Sequence, residues 1–142
     1  MNQNKRNGNR FEQEFAELLS KHGFWAHVFQ QNKSGQPADV IAACREWTGL
    51  IDCKVVSDLD GFPFSRAEEN QRLAMKKYVG VTGNRCYFAI KLSDGSIWMF
   101  PYDYLIAMEE YDSRKRITDE EIRRGDCCKP VDDWIKIIKG GM

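Results

Sequence analysis

Leu50-Ile51-Asp52-Cys53-Lys54-Val55-Val56 is an apolar run interrupted by one acid and one base, and its composition predicts a strand. Side chains alternate across a strand, so Asp52 and Lys54 share one face and Cys53 takes the other. An Asp and a Lys two apart on so apolar a strand are expensive to bury unless they share a partner. Upstream, Pro37-Ala38-Asp39-Val40-Ile41 places a second carboxylate at the margin of an apolar run. Arg45-Glu46-Trp47-Thr48-Gly49 turns the chain between the two segments, so Asp39–Cys44 and Leu50–Val56 are expected to pair as a hairpin. Asp39 and Asp52 on adjacent strands repel each other unless a cation lies between them. A hard divalent ion such as Mg²⁺ suits that oxygen-rich pair.

Working outward, the first residues are polar and expected to lie outside regular structure up to Gly8. Phe11, Phe15, Leu18 and Leu19 then recur at helical spacing, with Asn9 as the expected N-cap, Glu12 as its capping-box partner and Gly23 as the stop. Glu12 borders the apolar face of this helix, whereas Glu14 sits well round it. Phe24–Gln30 reads as a strand and 31–37 as a turn-forming loop. After a loop at 57–64, Ser65 is the expected N-cap of a second helix running to about Gly80, with Glu68 three residues on. Cys86–Leu92 and Ile97–Phe100 flank Ser93-Asp94-Gly95-Ser96, a hairpin signal. Short helices are expected at Asp103–Tyr111 and Thr118–Arg124, and Trp134–Ile138 is amphipathic. The order α-β-β-β-α-β-β plus a helical tail predicts a single α/β domain, with a mixed sheet of about five strands flanked by helices. The second helix is a crossover that permits parallel pairing of its flanking strands. Residues 1–111 form the expected core, and 112–142 a helical C-terminal extension packed on the same domain.

Composition narrows the class. The chain has 142 residues, 42% hydrophobic and 12% aromatic, enough for one packed core and against wholesale disorder. No apolar run approaches the ~20 residues of a membrane span, and no hydrophobic stretch follows the polar N-terminus, so a cytoplasmic protein is expected. Lys+Arg and Asp+Glu both number 21, which excludes a polycationic binder but not a local basic face. Five cysteines without a C-x-x-C pair, and only two histidines, point to free thiols rather than a zinc site.

Four segments in order carry a resemblance: Gly8-Asn-Arg-Phe-Glu12, Ser34-Gly-Gln-Pro-Ala-Asp39, Ile51-Asp-Cys-Lys54, and Phe62-Pro-Phe-Ser-Arg-Ala-Glu-Glu-Asn-Gln71. Together they resemble the PD-(D/E)XK nuclease superfamily, and within it the archaeal (Hjc-type) and Gram-positive bacterial (RecU-type) Holliday junction resolvases. The resemblance spans roughly residues 6–105. It implies a homodimeric endodeoxyribonuclease that cuts branched DNA with Mg²⁺ or Mn²⁺. Glu12, Asp39 and Asp52 match the metal-binding acids, Lys54 the motif lysine, Gln71 a glutamine that orients the water or the lysine, and Ser34 a serine beside the metal site. Asp52 stands where these resolvases usually carry Glu, Pro37 lies one place early, and the long RecU-type stalk has no counterpart.

Arg6, Arg10, Lys33, Arg66, Lys76 and Lys77 are candidates for contacts to DNA phosphates. No base-reading motif is evident, which favours recognition of DNA shape. A restriction- or repair-type nuclease of the same superfamily and a non-catalytic DNA-binding module are the alternatives.

Overall fold

The computed structural model describes residues 3–30, 35–57 and 59–140, with side chains described from Arg10 onward. Helix α1 (Gln3–Lys21) is followed by β1 (Trp25–Val28), β2 (Val40–Ala43) and β3 (Thr48–Val55). A two-residue strand β4 (Phe62–Pro63) and a 3₁₀ turn (Phe64–Arg66) lead into α2 (Glu69–Thr82). Then come β5 (Tyr87–Lys91), β6 (Ile97–Pro101) and α3 (Tyr102–Asp112). The tail holds β7 (Arg116–Ile117), α4 (Asp119–Arg124), β8 (Lys129–Pro130) and α5 (Val131–Ile138).

The sheet has six strands in the order β1-β2-β3-β5-β6-β8. β2 and β3 form the expected antiparallel hairpin, Val40 opposite Ile51, and β3 runs parallel to β5 across the α2 crossover. Alternation along the strands feeds two cores. Ile51, Cys53, Tyr87, Ala89 and Met99 pack with Phe11, Phe15 and Leu19 of α1 and Trp134 of α5. Leu50, Phe88, Ile90 and Phe100 pack on the other face with Met75 of α2, Leu105 of α3, and Phe62 and Phe64. The result is a three-layer α/β/α domain. No helix among the described residues is long and apolar enough to cross a membrane.

Four sequence expectations need correction. α1 begins at Gln3, so Asn9 lies inside the helix and not at its N-cap position. A glycine such as Gly8 costs a helix only about 1 kcal/mol, and the apolar stripe from Phe11 onward anchors the polar turns before it. The N-cap of α2 is Glu68, not Ser65: Ser65 belongs to the 3₁₀ turn, and the Gln71 side chain accepts the Glu68 N–H at 3.3 Å. The 57–64 loop contains β4. The tail is not wholly helical either, because β8 pairs with β6 as a sixth strand and β7 pairs with β4 in a second, two-stranded sheet.

That small sheet fastens the tail. Phe62, with no exposed surface, pairs with equally buried Ile117, and Thr118 caps α4 by accepting the Glu121 N–H at 3.1 Å. Glu121 in turn accepts from Arg114, and that bond holds its carboxyl down at about 2. A carboxyl depressed on folding contributes stability that is present above its unfolded value and lost as pH falls through its folded one. Melting temperature is therefore expected to drop as pH is lowered from about 4.5 to about 2, and Glu121→Gln to flatten that drop. Calorimetric melts of both proteins over the window check it; parallel curves would remove the assignment.

Candidate active site

β2 stops at Val40, opposite Ile51, so Asp52–Val55 of β3 project past their neighbour. Asp39 stands just before β2 and turns its side chain into this gap, where its Oδ2 accepts the Cys53 N–H at 2.8 Å. The bond replaces a missing rung of the ladder and fixes the carboxylate against β3. Asp52 follows the alternation on to the α2 face and has no exposed surface. Neither of its oxygens has a hydrogen-bond partner. Lys54, on the same face, places its ammonium 3.0 Å from Asp52 Oδ2, a charge contact without hydrogen-bond alignment. The period-2 reading of β3 is what the structure contains.

Glu12 arrives from α1, which packs across β1–β3, and its carboxyl hydrogen-bonds Asp39. Burial above all, then the charge and hydrogen bond of Asp39, push Glu12 up to about 8 against the pull of Lys54. Burial also pushes Asp52 well above the carboxylate range, with Asp39 adding to the shift and Lys54 opposing it. The fully buried Cys53 thiol is raised by burial and then by Asp39, Asp52 and Glu12 together. All three acids thus converge on one place, from α1, from the entry to β2 and from β3.

The other expected residues scatter. Gln71 is buried in the first turn of α2. Arg66 ends the 3₁₀ turn and donates to the Val55 carbonyl at 2.9 Å. Arg10 on α1 and Lys76 and Lys77 on α2 are exposed. Lys33 and Ser34 lie outside the described residues, as does the side chain of Arg6. Sequence reasoning missed Asn70, whose amide donates to the Gln36 carbonyl at 2.8 Å and ties the start of α2 to the loop that delivers Asp39. No local pattern signals a bond across 34 positions.

Among the described residues, no three His, Cys, Asp or Glu side chains stand ready-made as metal ligands; the acids are paired with one another instead. The donor set nevertheless fits a hard divalent cation: Glu12 and Asp52 each feel the charge of Asp39, and Asp52 is buried with neither oxygen hydrogen-bonded. Groups that repel when ionised are held together, which a cation would relieve.

The element order and mixed sheet are those of a PD-(D/E)XK nuclease. The family model described as archaeal Holliday junction resolvase (Hjc) matches residues 3–128. The chain belongs to that family. Among solved structures it is similar to Hjc of Archaeoglobus fulgidus, a Holliday junction resolvase from an archaeal hyperthermophile. That match has a TM-score of 0.67 at 19% identity and covers 90% of this chain and 99% of the other. A comparison with curated protein sequences gives no match.

Proposed function

We propose that the chain is a divalent-metal-dependent endodeoxyribonuclease that resolves four-way DNA junctions as a homodimer in the cytoplasm. Residues 1–111 form its nuclease core and 112–142 an extension packed on it. Glu12, Asp39 and Asp52 would hold Mg²⁺ or Mn²⁺, which supplies Lewis acidity at the phosphate when bound. Asp39 is pre-set for this by the Cys53 N–H. Glu12, biased toward its protonated form by burial and by Asp39, would have to ionise to serve as a ligand. Lys54, nearly buried and held by Asp52, places a fixed positive charge where negative charge grows on the phosphate, in a site with little water to screen it. Gln71, and Ser34 in the loop before Asp39, complete the surroundings of the attacking water in this reading. Arg6, Arg10, Lys33, Arg66, Lys76 and Lys77 contact the DNA backbone.

The observation that carries the proposal is Asp52, a buried carboxylate with neither oxygen hydrogen-bonded, set between a lysine and a second acid. A nuclease needs that charge, and a merely structural core does not tolerate it cheaply. The test is nicking of a labelled four-way junction beside a linear duplex of equal length, with Mg²⁺ and with chelator. Cutting of the junction in Mg²⁺ with the duplex largely spared is expected. Equal cutting of both would favour a restriction- or repair-type nuclease, and binding without cutting a non-catalytic DNA-binding module; either overturns the proposal.

A further inference from the structure

The open edge of β3 is completed by two side chains, of which Asp39 is only one. Ile51 pairs with Val40, so odd-numbered residues of β3 turn their backbone groups toward β2; Val56, one place on from Val55, turns to β5 and bonds Lys91. Past the end of β2, the Cys53 N–H is met by Asp39 Oδ2 at 2.8 Å and the Val55 carbonyl by Arg66 Nη1 at 2.9 Å. Asp39 and Arg66 therefore line the same edge two residues apart, about 7 Å along the strand. Lys54 lies between them and Asp52 just before, and Arg66 is near enough to feel the Asp52 charge.

A guanidinium has five N–H donors in a fork that matches two phosphate oxygens. Here one donor is spent on Val55, and among the described residues the rest have no partner. The backbone beneath it is held from both sides. Phe64, buried, donates its N–H to the Lys115 carbonyl at 2.9 Å, and Pro63 pairs with Arg116 of the tail. From α2, Arg72 donates to the carbonyls of Ala67 and Phe64, both at 2.8 Å, while Glu109 of α3 grips its guanidinium at 2.6 and 3.0 Å. This scaffold fixes the backbone from which the exposed Arg66 side chain extends.

We propose that Arg66 binds the scissile phosphate itself, opposite Asp39 across Lys54, rather than a phosphate elsewhere along the DNA. The proposal rests on the nuclease reading above. A charge placed at the reacting phosphate acts most in the transition state, so its loss should lower the rate at saturation more than the affinity. A group that merely satisfies the Val55 carbonyl would change neither.

Single-turnover cleavage of a four-way junction by wild type, Arg66→Ala and Arg66→Lys in Mg²⁺ tests this, alongside junction affinity measured in Ca²⁺ and thermal melts. Arg66→Ala is expected to cleave about 100-fold more slowly while its affinity changes only a few-fold and its melt is nearly unchanged. Arg66→Lys, which keeps the charge but loses the fork, should fall between and covers the case in which the alanine variant does not fold. Wild-type cleavage by Arg66→Ala, or rate and affinity falling in step, would overturn this inference alone. A wild-type chain that cuts nothing would overturn it together with the nuclease reading.

Discussion

Asp52→Asn is expected to reduce junction cleavage on the order of 10³-fold or more, and to do so without loosening the fold. Asparagine nearly matches aspartate in volume, so packing beside Phe88 and Leu50 survives. What disappears is the charge. An amide cannot replace a carboxylate toward a divalent cation, and it would turn donors or a neutral oxygen toward the Lys54 ammonium 3.0 Å away. Losing several kcal/mol of charge stabilisation at a phosphate corresponds to that rate loss. Stability should move the other way. Asp52 is raised well above its ordinary value by burial, so in chelator the wild type loses stability as pH rises and the buried group is forced to ionise. The variant has nothing there to ionise. Its melting temperature in chelator should match or exceed the wild type, by a margin that widens as pH rises. Added Mn²⁺ should raise the wild-type melt and leave the variant unmoved. An unchanged cleavage rate would strip Asp52 of its role.

The part of this site legible in the sequence is the part set by local periodicity. Alternation along β3 fixes Asp52 and Lys54 on one face whatever the rest of the chain does. The hairpin before it brings Asp39 alongside, and the stripe of Phe11, Phe15 and Leu19 sets Glu12 at the border of a buried helix face. What stayed hidden depends on contacts between distant segments. Ser65 is the expected cap on local grounds, and the shift to Glu68 goes with the Phe64 N–H bond to Lys115, 51 positions away, which helps hold Phe64–Arg66 in a 3₁₀ turn. Lys129-Pro130 and Arg116-Ile117 are too short to show any period, so their strands exist only because β6 and β4 offer open edges. The unpartnered state of Asp52 is likewise a tertiary fact, since it depends on which side chains the packed elements bring over that face of β3.

The tail's hold on the active site makes Gly61→Ala the severest single-methyl change in this part of the fold. Gly61 is buried with φ of +92°, in the left-handed region where a side chain is strained by about 1–2 kcal/mol. A Cβ there would also stand 2.0 Å from the Ile117 carbonyl oxygen and 2.7 Å from the Thr118 Cα. Both obstacles are backbone, so neither can swing aside; β7 has to leave β4, or the 60–63 segment has to move. Each response breaks the Phe62–Ile117 and Pro63–Arg116 pairing and unseats the Thr118 cap of α4. A total loss of about 3 kcal/mol is expected, strain and displaced packing together, measured as a lowered urea midpoint. The same displacement frees the Phe64–Arg66 turn, because Lys115 no longer receives the Phe64 N–H. Cleavage assayed well below the variant's melting temperature should therefore slow by more than the folded fraction accounts for, whereas the Asp39–Cys53 contact, further along the same edge of β3, stays in place. A variant as stable as wild type would mean that the tail does not press on Gly61 as the structure has it. One that is less stable but cleaves in proportion to its folded fraction would separate the tail from the chemistry.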